Sequence, residues 1–480
     1  MKKLFCVLLA VLLLSACAAP AATSDSTTAT QGELAQSQFG GFRVGFGMAN
    51  ITPKDPVPLG GYSRSDLRIS AGLISYLQAT CIAVTDDKEN TVLLFSLDLH
   101  DAQQMDGMRT AISEATGIPV EHIFLSVTHT HSAPDLANSK NRAIQSYLKL
   151  LHVQLAEAAK LALDDRLPAQ MSGGYVETTG MNFVRHYLMK DGSVAGDNFG
   201  DISSGYAGHV HQADGTLQLL KFTREGGKDI YLTNFQCHPH QTGGSDKYDI
   251  SSDVVGEYRA AMEQATGAHV VYFSGAGGNL NSYSRIKEEQ ATQNFKEWGV
   301  KLADYARQVQ LQPLASGAVT ISTETVVGEV DHSMDRYAAT CKDLYERWNS
   351  GKITTEELKE LGLEAGVVLN SGQHARSIHT RSTLEATSEF EICTVAFGDV
   401  AVVAAPFEMF DDIGVDIRQR SPYAMTLIAS LCNFRMGYLP TEEAFAYGSY
   451  EVNSCRFVSG IAEQVADQYV TMLQKQHTEN

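Results

Sequence analysis

The sequence predicts an α/β protein whose strands lie mostly inside and whose helices lie on the outer faces. Short apolar runs alternate with longer amphipathic segments along most of the chain, and this alternation is typical of internal strands covered by helices. The motifs that carry chemistry follow the apolar runs, at the strand ends where functional loops are expected. No low-complexity break follows residue 41, so we predict a single large catalytic domain at residues 41–478.

The individual strands and helices are predicted from run length and from the spacing of apolar residues. Strands are expected at residues 91–96, 123–127, 230–235, 269–273 and 394–405. Helices are expected at residues 144–163, 252–264, 292–310 and 460–474.

The N-terminus has the pattern of an export signal. Lys2 and Lys3 precede an apolar stretch that is too short to remain as a membrane-spanning helix. The sequence Leu-Ser-Ala-Cys ending at Cys17 resembles a bacterial lipobox, so we predict a lipoprotein signal peptide at residues 1–16 and a lipid on Cys17; an ordinary secretory signal is the alternative. Residues 17–40 are predicted to be a flexible membrane-tethering spacer. The expected location is the bacterial cell envelope, lipid-anchored and facing outside the cytoplasm.

The composition restricts the partners of the protein. A formal net charge of −19 disfavours nucleic acid and anionic membrane surfaces, so membrane contact is expected through the anchor on Cys17. Six cysteines follow Cys17, and outside the cytoplasm a disulfide between Cys432 and Cys455 is plausible. The sequence leaves the oligomeric state open.

The segment around His129 and His131 is the first candidate site. It follows the predicted strand at residues 123–127, and alternation along a strand would place both imidazoles on one face. Such a pair can hold a metal or flank a reacting group, although ordinary core or surface histidines are the alternative. The same spacing recurs in His209-Val210-His211 and in His238-Pro239-His240. Convergence of two or more pairs would supply the three or four ligands that zinc needs.

Three later motifs supply further candidate residues. A glycine-rich turn at residues 274–281 follows a buried strand, and its glycines allow a sharp turn or a close backbone approach. Glu408 ends a strongly apolar strand and is either an exposed strand end or a ligand. The segment that begins with Gly437 and Tyr438 leads to Tyr450.

In this order the motifs resemble the amidase domain of the neutral ceramidase family. The similar segments are residues 40–53, 59–62, 129–132 (His-Thr-His-Ser, the most specific), 234–239 (Asn-Phe-Gln-Cys-His-Pro), 406–408 (Pro-Phe-Glu) and 437–438 (Gly-Tyr). They extend over nearly the whole chain after the spacer. The resemblance implies a mixed α/β fold with central β-sheets flanked by helices.

The resemblance also implies the residues of a site. The implied zinc ligands are His129, His238, Glu408 and Tyr438. The implied catalytic residues are His131 beside the metal, Arg185 near the developing oxyanion and Tyr450 near the reacting carbonyl. Zn²⁺ is the expected cofactor, because it can polarise a carbonyl and make water nucleophilic.

Two departures from the family pattern accompany this resemblance. Asn281 stands where the family carries a serine, with Ser282 one place later. The chain is also expected to lack the family's C-terminal immunoglobulin-like domain. We therefore expect a zinc-dependent amidohydrolase that cleaves the N-acyl amide bond of ceramide or a related N-acyl lipid by attack of a metal-bound water. The alternatives are a hydrolase of another acylated amide or ester on the same scaffold and a metal- or solute-binding lipoprotein.

Overall fold

Residues 41–62, 67–197 and 199–479 are described by a computed structural model of the chain. The predicted signal peptide at residues 1–16, the lipidation site Cys17 and the predicted spacer at residues 17–40 lie outside the described residues and stay predictions. No helix within the described part of the chain combines the length and the apolar character that crossing a membrane requires.

The described residues form strands and helices that alternate along the chain. The strands are β1 (Arg43–Asn50), β2 (Gly72–Leu73), β3 (Gln78–Thr85), β4 (Thr91–Leu97), β5 (Ile123–Val127), β6 (Leu167–Glu177), β7 (Phe183–Val184), β8 (His186–Met189), β9 (Val194–Gly196), β10 (Tyr206–His209), β11 (Thr216–Arg224), β12 (Ile230–Phe235), β13 (Asp249–Ile250), β14 (His269–Ser274), β15 (Leu280–Asn281), β16 (Gln312–Leu314), β17 (Val319–Glu329), β18 (Thr387–Phe397), β19 (Val400–Ala405), β20 (Phe407–Met409), β21 (Met425–Ser430) and β22 (Gly437–Leu439). The helices are α1 (Met105–Thr116), α2 (Arg142–Asp164), α3 (Asp253–Thr266), α4 (Phe295–Ala306), α5 (Ala338–Asn349), α6 (Thr355–Glu364), α7 (Gly372–Arg381), α8 (Asp411–Arg420), α9 (Glu442–Tyr447), α10 (Tyr450–Ser454) and α11 (Ile461–Glu479).

Two mixed sheets form the centre of the fold. The larger has the strand order β14-β12-β11-β6-β1-β3-β4-β5, with β16 beside β6, and the smaller has the order β17-β18-β19-β21. Most neighbours are antiparallel, but β4–β5, β12–β14 and β19–β21 are parallel pairs. Side chains from both sheets, such as Leu94, Leu220 and Val402, share one hydrophobic cluster. The predicted mixed α/β class, with central sheets and flanking helices, is therefore confirmed.

Several helices cover the outer faces of these sheets, and each buries one apolar stripe. In α2 the side chain of Asn141 caps the first turn by accepting a hydrogen bond from the backbone of Ala143. Ile144, Tyr147 and Leu151 then recur at helical spacing and are buried against strands of the larger sheet. Helices α8 and α11 cover the smaller sheet in the same way.

One strand prediction was wrong. Residues 394–405 were predicted as a single strand, but β18 and β19 form a hairpin in which Phe397 pairs with Val400. Gly398 makes the turn possible because its φ of 65° lies in the left-handed region, which glycine adopts without steric cost. The unbroken apolar pattern on both sides of the turn concealed it, because both strands are buried.

Strands β17 and β18 enclose an inserted helical unit. β17 and β18 pair in register from Val319 opposite Phe397 to Glu329 opposite Thr387. The chain between Glu329 and Thr387 leaves the hairpin and folds into α5, α6 and α7. These helices have a small hydrophobic core of their own, which includes Leu344.

The plausible disulfide between Cys432 and Cys455 is not formed. Both side chains are buried, and each is a free thiol among the described cysteines. A core of this size does not need a covalent link, and the two cysteines pack into different hydrophobic clusters.

Candidate metal centre and cavity

His129 lies two residues beyond the end of β5, in a backbone conformation that non-glycine residues seldom adopt. Its φ is 68°, which is left-handed and costs free energy unless the surroundings hold it. The backbone amide of His129 donates to the carbonyl of Leu99 at 3.0 Å, and its Nδ1 faces the carbonyl of His100 at 2.5 Å. Because a carbonyl only accepts, Nδ1 must carry the proton, and Nε2 is left as an acceptor.

His238 follows β12 and is oriented by the glycine-rich turn. Its Nδ1 faces the carbonyls of Gly277 and Leu280 at 2.9 Å and 3.0 Å, so its Nε2 is also left as an acceptor. Burial lowers the pKa of His238 to about 4, with the charge of Arg185 acting in the same direction. The imidazole is therefore neutral at pH 7, which is the form that binds metals.

Glu408 and Tyr438 are placed together by strand pairing. They are direct partners in the short parallel pair β20–β22. The side chain of Glu408 is buried and faces the two histidines. The backbone of Glu408 lies so close to the glycine-rich turn that a Cβ on Gly278 would come within 2.3 Å of the Glu408 carbonyl.

The side chains of His129, His238 and Glu408 converge on one point. Glu408 Oε2 lies 3.4 Å from His129 Nε2 and 3.2 Å from His238 Nε2. All three atoms are acceptors, so their approach is unfavourable without a cation between them. Ligands about 2.1 Å from a tetrahedral zinc ion lie roughly 3.4 Å from one another. The donor set and its spacing therefore fit zinc.

Arg185 reaches the same region through a buried ion-pair network. Its Nη2 donates to the Tyr438 hydroxyl at 3.1 Å, and its Nε donates to Glu451 Oε1 at 2.6 Å. The other oxygen of Glu451 lies 2.8 Å from His186 Nε2. Burial would raise the pKa of Glu451, but Arg185 and His186 hold it well below its usual range. This network fixes the guanidinium beside Tyr438.

Tyr450 and His131 complete the set of predicted residues. The buried hydroxyl of Ser449 caps α10 by accepting from the Val452 amide, so Tyr450 begins that helix. Its ring lies 5.8 Å from the ring of Tyr438, centroid to centroid. His131 Nε2 lies 3.3 Å from His129 Nε2. The backbone of Gly61 packs against the other side of the His131 ring, where a Cβ would come within 2.6 Å.

Six of the seven predicted residues line one cavity of about 700 Å³, namely His129, His131, Arg185, Glu408, Tyr438 and Tyr450. The seventh, His238, borders a void of about 20 Å³ that also touches His129 and Glu408. The structure therefore brings all seven positions together, and two of the three histidine pairs meet there.

The third histidine pair lies elsewhere. His209 bonds to the carbonyl of Val184 and to Glu289. His211 lies 3.2 Å from an oxygen of Asp411. Asn281, at the position of the family serine, donates from Nδ2 to Asp197 at 3.0 Å.

Sequence reasoning missed a second layer of residues around the histidines. The ring of His100 stacks on that of His129, with centroids 5.0 Å apart. Arg435 Nε lies 2.7 Å from Asp101 Oδ2, and its Nη2 lies 3.8 Å from Glu408 Oε1. The signal available was His100-Asp101 at the end of an apolar strand, the same position in a strand that marked His129.

Comparisons with known proteins agree with the fold. No protein-family model matches the sequence, and no curated protein matches it. Among solved structures, the neutral ceramidase of Pseudomonas aeruginosa matches with 16% identity and a TM-score of 0.66, over 90% of this chain and 74% of that one. A structure described as ceramidase complexed with C2 matches with 15% identity and a TM-score of 0.69, over 91% of this chain and 75% of that one. The chain therefore has the fold of neutral ceramidase.

Proposed function

We propose that this protein is a zinc-dependent amide hydrolase that cleaves an N-acyl amide bond. The convergence of His129, His238 and Glu408 beside an open cavity carries the proposal. The shared fold supports the bond type, because ceramide, after which the similar solved proteins are named, is an N-acyl amide. Ceramide is therefore the reference substrate for a first assay.

The proposed zinc ligands are held in place by other parts of the fold. When bound, a zinc ion would polarise the amide carbonyl and bring the pKa of water to about 7. The ion would be held by His129, His238 and Glu408. Backbone carbonyls bond to the Nδ1 atoms of the two histidines, and strand pairing positions Glu408. Tyr438, the strand partner of Glu408, is the fourth ligand in this proposal.

Three further side chains would serve the reacting amide. Arg185 is a fixed donor for the oxygen that gains negative charge as the amide carbon becomes tetrahedral. Tyr450 can donate its hydroxyl to the same oxygen, and each such donor contributes about 3 kcal/mol in other hydrolases. His131 lines the cavity beside His129, where its imidazole can take the proton that the attacking water loses and pass it to the departing amine.

The test combines metal analysis with an assay of amine release from short- and long-chain ceramides. We expect about one zinc per chain, loss of hydrolysis on exhaustive chelation and recovery on addition of zinc. Inductively coupled plasma mass spectrometry measures the metal on the untreated protein. Hydrolysis that persists in the metal-free protein contradicts zinc dependence. A zinc-loaded protein that cleaves no N-acyl amide contradicts the hydrolase and favours a metal-binding role.

A further inference from the structure

The wall of the large cavity is polar and aromatic. Among the described residues that line it, Ala137 is the only one with an aliphatic side chain. The others are glycines, histidines, tyrosines, a tryptophan, amides and charged residues. Pockets that bind apolar ligands are lined mainly by hydrophobic side chains, and a long alkyl chain placed here would meet hydrogen-bonding atoms instead.

Ion pairs fix many of these hydrogen-bonding atoms in place. Arg285 Nη2 lies 2.5 Å from Asp197 Oδ1, and Arg435 Nε lies 2.7 Å from Asp101 Oδ2. Groups held in this way can exchange their water for the hydroxyls of a ligand. An alkyl chain would remove the water and return no hydrogen bond, which is unfavourable.

Aromatic rings from two separate segments of the chain line the cavity. On α5, Tyr345 and Trp348 lie with ring centroids 6.3 Å apart, and the Arg376 guanidinium lies 5.9 Å from the centre of the Tyr345 ring. In the second segment, Tyr283 stacks on His240 with ring centroids 5.0 Å apart and an interplanar angle of 25°. Flat rings beside fixed polar groups suit a ligand that has C–H faces and hydroxyl edges.

The second void offers no channel for a chain. It borders His129, His238 and Glu408 but measures only about 20 Å³, which is room for about one water-sized group. An acyl group that reaches the proposed metal site at His129, His238 and Glu408 must therefore be short or must turn back into the polar cavity.

We propose that the preferred substrate is a short-chain N-acyl amide of a polyhydroxylated, sugar-like amine. This inference rests on the proposed hydrolase function and specifies its substrate class. The hydroxyls would bond to the paired arginines and aspartates, the sugar ring would pack on the aromatic rings, and the short acyl group would point toward Glu408.

The test separates acyl length from the nature of the amine. Amine release is measured with zinc-loaded protein on four amides in the same detergent: N-acetylglucosamine, N-palmitoylglucosamine, N-acetylsphingosine and N-palmitoylsphingosine. We expect N-acetylglucosamine to have the highest kcat/KM, at least about 100-fold above N-palmitoylsphingosine. A sphingosine amide cleaved as well as or better than N-acetylglucosamine overturns the substrate class and leaves the hydrolase proposal standing. No amine release from any of the four overturns both proposals.

Variants of the inserted helices test the aromatic wall. Trp348→Ala should raise KM for N-acetylglucosamine about tenfold, with a smaller change in kcat, and Arg376→Ala should raise KM about threefold. Arg376 is exposed, so its replacement keeps the test valid if Trp348→Ala fails to fold. Lys342→Ala is the matched control on α5, because Lys342 is exposed and outside the cavity wall. Unchanged KM in folded Trp348→Ala, or in Arg376→Ala, overturns the role of this wall.

Discussion

Two histidine–carboxylate clusters have similar composition and opposite chemical character. The first contains His129, His238 and Glu408, and the second contains His211, Asp411 and Asp412. In the first, acceptor atoms face one another, because backbone carbonyls occupy the remaining ring nitrogens. In the second, the histidine faces the carboxylates as a donor.

The second cluster is closed by its own hydrogen bonds. Asp411 Oδ1 lies 3.2 Å from His211 Nε2 and accepts from Asn279 at 2.6 Å, and Oδ2 accepts from the Asp214 amide at 3.0 Å. Burial lowers the pKa of His211, but the bond to Asp411 outweighs it, so the net pKa is raised. Histidines and carboxylates at close range are therefore not enough to define a metal site. Their facing atoms must also be acceptors for which no donor is available.

The largest expected difference between the clusters concerns zinc. His238→Ala should lose the metal and reduce kcat/KM about a thousandfold or more, because one of the four proposed zinc ligands is gone. His211→Ala should keep both zinc content and activity within about twofold. Metal analysis, amine release and far-UV circular dichroism compare the two variants. Equal zinc loss in both would remove the distinction.

Glu451 is a saturated carboxylate like Asp411, so it should behave as a structural ion pair. Glu451→Gln should lower the free energy of unfolding at pH 7 by about 3 kcal/mol, because the variant leaves the buried Arg185 charge without its partner. The folded pKa of Glu451 is depressed. Its contribution is therefore present above the ordinary glutamate pKa of roughly 4.3 and is lost as the pH falls below that value. Denaturation at several pH values measures this, and a pH-independent deficit would contradict it.

Tyr450→Phe separates a catalytic centre from a metal store. Removing the hydroxyl keeps the ring against Tyr438 and should lower kcat about a hundredfold, with little change in KM. Zinc content should equal that of the wild type. Steady-state kinetics on a cleaved N-acyl amide decide the matter, and an unchanged kcat at full zinc occupancy would exclude Tyr450 from the reaction.

The smallest effect is expected at the closed cluster. His211→Ala should lower the free energy of unfolding by about 1 kcal/mol, because His211 is partly exposed and its ion pair is screened. The folded pKa of His211 is raised, so this stabilisation is complete below the ordinary histidine pKa of roughly 6.5 and disappears as the pH rises through the raised value. A deficit that grows with pH would refute the ion pair.

Local pattern predicted the positions of His129 and His238, because each follows a buried strand of the right length and composition. Local pattern could not predict that His238 lies beside His129 and that His209 does not, because these distances depend on which strands become neighbours. Asp101 and Arg435 were missed for the same reason: their pairing joins segments far apart in the chain. The hairpin at Gly398 was missed because its two strands are buried around the turn. The apolar residues before and after the turn therefore look like one strand.

The insertion between β17 and β18 gives the protein a replaceable part. The two strands pair along their whole length, and the entropic cost of a longer connection grows only slowly with its length. The inserted helices carry their own core and supply Tyr345, Trp348 and Arg376 to the cavity wall. Selection or engineering can therefore exchange this unit and change what the cavity accepts, while His129, His238 and Glu408 on or beyond other strands stay untouched.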